Sequence, residues 1–388
     1  MAGRTTRRAA PAAVLAVILA VAVSAAALAQ QTPGLSLPPS GGNQRATVTQ
    51  SIGLVKVSIE YSSPHVHSAS GEDRRGKIWG GLVPYGMANL GFGTCGDQCP
   101  WRGGANENTV FTTNQDIKVQ GQPLPAGVYG LHFIPGAEEW TVIFSKNSTS
   151  WGSFTYNVKE DALRVTAKPA KGPYYEDLTY GFRDRHQDHA TVVLSWEDLE
   201  VPFAITVDNA ADLYIESLKR ELRSTPGFSW EGFNTAAQYT LVSKSHLDLG
   251  LRWAERSVNP AVGGEANFTT LSTLADLQAA NGQEAEAKKT RDRALHDPSA
   301  TPLQLHLYAR QLVAEKRNAE AIAVFKLNAQ LHPNVWPVHV GLVRAYSLEG
   351  KRKEALAEAK LALAQAPDPG NKKSLEDMIK KLEAGGDI

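Results

Sequence analysis

The last third of the sequence repeats itself at a shift of 34 residues, and that periodicity constrains the fold more than any other feature. Glu286-Ala287, Glu320-Ala321 and Glu354-Ala355 superpose, as do Leu274, Tyr308 and Leu342. Gly282 and Gly350 stand two periods apart with Lys316 between them, and Pro298, Pro333 and Pro367 close the units within one residue of register. From Leu213 to Leu382 the chain is rich in Ala, Leu, Glu and Lys, so each unit reads as helix, turn, helix. One such unit cannot bury its apolar face alone, but stacked neighbours bury it against each other.

A 34-residue unit with a small residue before its second helix and Pro at its end resembles the tetratricopeptide repeat. Three units run from about Phe268 to Pro367, a degenerate pair from Gly232 to Asn259 precedes them, and Asn371 to Glu383 reads as a capping helix. The resemblance makes residues 209–388 an all-α solenoid. It implies a concave surface that holds a protein or peptide partner, against the plainer alternative of a structural spacer.

Before Asp208 the period is two. Val55, Val57, Ile59 and Tyr61 alternate with Lys56, Ser58 and Glu60, the pattern of a half-buried strand. Ile117 and Val119 lead through a Gly/Pro-rich turn (Gly121 to Gly127) into an alternating run from Val128 to Phe133. Further strands are expected at Trp140 to Ser145, Leu163 to Lys168, Tyr175 to Phe182, Thr191 to Trp196 and Val201 to Val207. Short strands without intervening helical patterns predict an antiparallel β-sandwich over residues 48–208.

The first 29 residues read as an export signal. Arg4, Arg7 and Arg8 precede the apolar stretch Ala12 to Ala26, and Ala27-Leu28-Ala29 offers small residues for cleavage before Gln30. An uncleaved membrane anchor is the competing reading, since the apolar run approaches spanning length. Residues 30–47, rich in Pro, Ser and Gly as far as Gly42, read as a flexible linker. After cleavage no stretch would span a membrane, and the expected location is extracytoplasmic, periplasmic or secreted. Of the 40 basic residues the signal carries three, leaving 37 against 40 acidic ones, which argues against nucleic acid as a partner. The two cysteines, Cys95 and Cys99, are expected to form one disulfide in an oxidising compartment, because their spacing fits neither a redox pair nor a zinc site.

Several motifs in the β region, in one order, resemble the domain of unknown function 2911. They are Val57 to Tyr61, Arg75-Gly76-Lys77-Ile78-Trp79-Gly80, Leu82-Val83-Pro84-Tyr85-Gly86 and Trp101 to Thr109. Leu124 to Tyr129, Ile134-Pro135, Trp140 to Phe144, Trp151-Gly152, Asp161, Leu163-Arg164-Val165 and Ser195-Trp196-Glu197 follow. The resemblance covers about residues 48–208 and implies a secreted bacterial β domain without an assigned activity. This chain departs from the family pattern in extra residues around His65 to Asp73 and between Gly86 and Trp101. It also has Gly103 where Thr is usual and His132 where an apolar residue is usual.

The stretch Pro100 to Thr109 concentrates chemistry. Trp101, Arg102, Asn106, Glu107 and Thr109, with His132 nearby by resemblance, are the candidate ligand-binding residues of a small-molecule or glycan site. In that role Arg102 clamps a carboxylate or sugar hydroxyl, Asn106 and Glu107 orient it, and Trp101 stacks. As plain structure, Arg102 would pair with Glu107 across a turn and Trp101 would be core. His65 and His67, and His186 and His189, are weak metal-ligand candidates with nothing in the sequence joining the two clusters. A catalytic reading would be an extracytoplasmic hydrolase using Arg102 and Glu107 with a second acid such as Asp161, or with His132. No nucleophile elbow, phosphate loop or dinucleotide fingerprint is present, so no cofactor is expected and a binding or assembly module of the cell envelope is preferred. Trp140, Trp151, Tyr156, Tyr174 and Tyr175 would line a carbohydrate groove if exposed, or pair across strands if not.

Overall fold

The structure is a computed structural model that describes residues 42–386 and 388. The expected signal (1–29) and residues 30–41 of the expected linker lie outside the described residues. The chain divides into two units, one ending at Asp208 and the other beginning at Asn209.

The first unit has ten strands: β1 (Gln44–Ile52), β2 (Val55–Ser63), β3 (Thr109–Thr113), β4 (Ile117–Val119), β5 (Gln122–Leu124), β6 (Gly127–Ile134), β7 (Trp140–Ser145), β8 (Asp161–Ala167), β9 (Ala170–Arg183) and β10 (His189–Thr206). They form a six-stranded sheet in the order β1-β2-β3-β6-β7-β8 and a four-stranded sheet in the order β5-β4-β10-β9, with antiparallel pairing in both. Phe144 on β7 meets Phe203 on β10, and Tyr61 on β2 meets Tyr180 on β9 with ring centroids 4.8 Å apart. The two sheets therefore pack face to face as an antiparallel β-sandwich. Its core holds Phe111, Phe133, Phe144, Phe203, Trp140 and Trp196, all essentially inaccessible to water. Each such side chain contributes on the order of 2–3 kcal/mol by burial.

Three expectations are corrected. Strand β1 begins at Gln44, so residues 44–47 belong to the sandwich rather than to a linker; Arg45 there pairs with Glu60 of β2 at 2.7 Å. The turn after Val119 is the two-residue Gln120-Gly121, which returns the chain as the edge strand β5 in the same sheet. Strand β6 then starts in the other sheet, so the two runs expected to face each other across one turn are not partners. Thr191 to Trp196 and Val201 to Val207 belong, apart from Val207, to one continuous strand, β10, whose register shifts on either side of Glu197. Glu197 has φ of 57° and its carboxylate accepts from the Gly76 N–H at 2.5 Å, tying the bulge to the long loop between β2 and β3.

The second unit is helical: α1 (Ala210–Glu221), α2 (Trp230–Ser243), α3 (Leu247–Ser257), α4 (Phe268–Ala280), α5 (Glu284–Leu295), α6 (Pro302–Ala314), α7 (Asn318–Leu331), α8 (Trp336–Leu348), α9 (Arg352–Ala364) and α10 (Pro369–Glu383). Helices α4, α6 and α8 start 34 residues apart, and so do α5, α7 and α9. The structural repeat thus has the period of the sequence repeat, and the unit is a tetratricopeptide-like stack. Small residues let the helices approach. Ala275, Ala309, Ala321, Ala345, Ala355 and Ala359 are buried, and a Cβ on Gly341 would lie 2.7 Å from the Phe325 ring. Asn267 with Thr270 and Thr301 with Gln304 form capping boxes that start α4 and α6.

Candidate functional site

The 45-residue segment between β2 and β3 (residues 64–108) builds the site. Near its end the chain comes alongside β6, where Trp101 N–H donates to the Phe133 carbonyl at 2.8 Å and Phe133 N–H donates back at 2.7 Å. Strand β3 pairs with β6 only as far as Thr109 opposite Leu131, so Trp101 continues the ladder that β3 leaves. The indole enters an aromatic cluster with Trp79, Trp140, Trp196 and Phe133, at centroid distances of 5.8 to 6.4 Å.

Immediately after it, Gly103 has φ of 64°, and a Cβ there would lie 2.6 Å from both Phe133 and the Tyr180 hydroxyl. Tyr180 donates to the Gly103 carbonyl at 2.7 Å and Thr109 donates to the same oxygen at 3.2 Å. The bend turns Arg102 toward Phe154, its guanidinium carbon 4.9 Å from the ring centroid, while Nη1 donates to the Asn106 carbonyl at 2.5 Å. The bare Cα of Gly152 leaves space for the guanidinium, which a Cβ there would overlap. Burial lowers the Arg102 pKa.

A cleft of about 360 Å³ opens here. Trp101 and Trp196 give it an aromatic wall, Leu82, Val83 and Pro84 an apolar one, and Asn43 and Asn106 an amide edge where Asn43 donates to the Asn106 side chain at 3.2 Å. Its charged groups are Arg74 and Arg102, and no carboxylate among the described residues lines it. Arg74 has one distant carboxylate neighbour, Glu72 at 3.9 Å. Cys99 borders the cleft, disulfide-bonded to Cys95, and Cys95 borders an adjoining pocket with Tyr156 and Arg164.

Of the residues expected at a site, Trp101, Arg102 and Asn106 come together and Glu107, Thr109 and His132 do not line the cleft. Glu107 accepts from Arg45 at 3.1 Å and from Ser62 at 3.2 Å, not from Arg102, which corrects the expected pairing across the turn. Its own backbone N–H, Ser62 and Arg45 hold its carboxyl below the ordinary range. Thr109 is buried beneath the bend. His132 is buried with Nδ1 3.0 Å from the Ser153 hydroxyl, and burial with the nearby Arg102 charge lowers its pKa to about 4. Asp161 accepts from Tyr156 at 2.8 Å and also holds Arg164, so it is not a second acid beside Glu107.

The histidine clusters stay apart from the cleft. His65 pairs with Asp177, and His67 with Glu176 at 2.9 Å. His186 and His189 stack at 4.4 Å beside the β9–β10 turn. Among the described residues no group of three or more His, Cys, Asp or Glu is arranged to hold a metal ion. Trp140 is buried in the core and Tyr156 is largely buried at the adjoining pocket, whereas Trp151 and Tyr174 are exposed. Arg74, Asn43, Trp196 and Leu82 to Pro84 were not singled out as site residues from sequence. Trp196 and Leu82 to Pro84 lie in the motif order quoted above, which was their only signal.

Residues 43–205 match the family described as "Protein of unknown function (DUF2911)". The β-sandwich carries the pattern of that family. The match spans both sheets and every residue named in the cleft, and Leu82-Val83-Pro84, Trp101-Arg102 and Trp196 meet there in three dimensions. No curated protein matches the chain. Among solved structures, it is similar to the C-terminal part of a TPR repeat-containing protein from Cytophaga hutchinsonii, with 14% identity, 46% of this chain and 76% of that one covered, and a TM-score of 0.31. It is also similar to YrrB, described as a TPR protein with an unusual peptide-binding site, at 18% identity, 44% and 89% coverage and a TM-score of 0.27. A thermophilic TPR protein of Thermus thermophilus matches at 17% identity, 45% and 90% coverage and a TM-score of 0.28. No helix of the described residues is long and apolar enough to cross a membrane.

Proposed function

We propose that this is an exported binding protein of the cell envelope, whose sandwich holds a small anionic ligand and whose repeats hold a partner polypeptide. The observation that carries the ligand is the charge of the cleft: two guanidinium groups, Arg74 and Arg102, beside a tryptophan wall, with no carboxylate among the described residues lining it. Arg102 is half buried with no carboxylate partner among the described residues, which is costly, and an anion entering the cleft offsets that cost. The apolar wall and Trp101 fit the uncharged body of such a ligand, an aliphatic chain or sugar face. A binding role agrees with the positions of Glu107, Asp161 and His132, none of which faces a ligand on Arg102. The stacked helix pairs support the polypeptide partner, because stacks of this kind present an extended concave surface. Export rests on the sequence signal and agrees with the disulfide.

The test is calorimetric titration of residues 30–388 with matched acidic and amidated small molecules, sugar acids among them. Binding of the acid but not its amide, weakened about tenfold or more in Arg102→Gln and in Arg74→Gln, is expected for charge-assisted contacts. Equal binding of acid and amide, or full affinity in both variants, would refute the reading.

A further inference from the structure

The helical unit carries a pair of arginines of its own. Arg310 on α6 and Arg344 on α8 are separated by 34 residues, one repeat, so stacking brings the same position of two successive units side by side. Both line a cavity of about 200 Å³, together with His306 from α6, Trp336 from α8, and Asn371 and Ser374 from α10. No acid among the described residues lines it, and neither arginine has an ion-pair partner among them.

Arg344 is half buried and its Nε lacks a hydrogen-bond partner, as does the indole N–H of Trp336. Burial and the like charge of Arg310 lower the Arg344 pKa. Burial and the same two arginines lower that of His306 to about 4, so His306 stays neutral and the arginines carry the cavity's charge. One repeat earlier the equivalent position is Asp276, which pairs with Arg291, so the row of cations is confined to α6 and α8. Two like charges converging on a partly desolvated cavity oppose folding unless a counter-charge completes the set.

We propose that this cavity binds one oxyanion group, a carboxylate or a phosphate, held between the guanidinium groups of Arg310 and Arg344. Asn371 and Ser374 add neutral polar contacts at the rim, and the volume suits a single acidic group rather than a nucleotide. The site stands independently of the β cleft. The oxyanion arrives either as a free ion or as the acidic group of a bound polypeptide, and only the second source rests on the reading that the repeats hold a partner chain.

Calorimetry on the full chain at low salt, with sodium phosphate, sodium acetate, a hexapeptide ending in two glutamates and its amidated glutamine counterpart, tests this. At least one oxyanion probe is expected to bind, about tenfold or more weakly in Arg310→Gln and in Arg344→Met, with affinity falling as salt rises. The same binding is expected to persist in Arg74→Gln, which separates it from the β cleft. Retention only of the free ions identifies a free anion, whereas preference for the glutamate peptide over its amide identifies a polypeptide group. In probe-free buffer the helical unit of Arg344→Met is expected to melt no lower than wild type, the opposite of what loss of a structural arginine would give. If no oxyanion probe binds, or if Arg310→Gln, whose side chain is exposed, binds as tightly as wild type, the proposal fails.

Discussion

Trp101 and Phe133 exchange both backbone hydrogen bonds, at 2.8 and 2.7 Å, as a one-residue extension of the ladder between β3 and β6. That pair fixes where the cleft lies, because it sets Trp101 among the core tryptophans and starts the bend that turns Arg102 toward Phe154. The bend depends on Gly103.

Gly103→Thr is therefore expected to destabilise this chain. The new side chain would require φ of 64° and would meet Phe133 and Tyr180 within 2.6 Å. Left-handed strain and overpacking together cost about 3 kcal/mol. Urea unfolding followed by near-ultraviolet dichroism checks this; a midpoint shift under about 0.5 kcal/mol-equivalent would mean the bend relaxes freely.

How much of this was legible in the sequence depended on whether the signal was local. The 34-residue period and the alternation around Val55 to Tyr61 are local patterns, and both elements form where those patterns lie. The Trp101 to Asn106 loop stood out because its unusual residues are consecutive. The other half of the cleft did not: Arg74 and Asn43 reach Arg102 only through the folding of a 45-residue loop and the pairing of β1 with β2. Glu107 illustrates the converse. It sits five residues from Arg102 in sequence, yet the bend at Gly103 sends it to Arg45. The continuity of β10 across Glu197 was hidden because a bulge breaks the period of two without ending the strand.

The buried histidine at position 132 makes the sandwich sensitive to acid. Its pKa falls from an ordinary 6.5 to about 4 on folding, chiefly through burial. The unfolded chain then binds more protons than the folded one between those values. Stability from this group is complete above pH 6.5 and is lost as pH falls through 4, by about 3 kcal/mol in all. Stability measured from pH 7.5 to 4.5 is expected to decline less in His132→Gln, which cannot titrate, than in wild type. Parallel curves would show that His132 is not the source.

The Cys95–Cys99 bridge closes a short loop, and its two sulfur-bearing residues are buried between the cleft and the adjoining pocket. For so short a loop the entropic contribution is about 2 kcal/mol. The Cys95→Ser, Cys99→Ser double variant should lower the sandwich midpoint by that amount while leaving helical-unit unfolding unchanged. Because Cys99 borders the cleft, acid-ligand affinity should fall in the same variant. Unchanged affinity alongside lowered stability would separate the bridge from the site.

The helix-to-helix turns of the repeats provide an internal comparison. Gly282 and Gly350, one period on either side of Lys316, have φ of 79° and 73°, and Lys316 adopts 63° at the equivalent position. A lysine in that region carries a left-handed penalty of about 1–2 kcal/mol, which glycine avoids. Glycine also loses more freedom on folding, by up to about 1 kcal/mol. Lys316→Gly is therefore expected to stabilise the helical unit by about 0.5–1 kcal/mol, and Gly350→Ala to destabilise it by about 1 kcal/mol. The two effects have opposite signs although the two positions are the equivalent turn of successive repeats. Thermal unfolding of the two variants beside wild type decides the matter: a loss of stability in Lys316→Gly would mean that the lysine side chain contributes more through its surroundings than its backbone conformation costs.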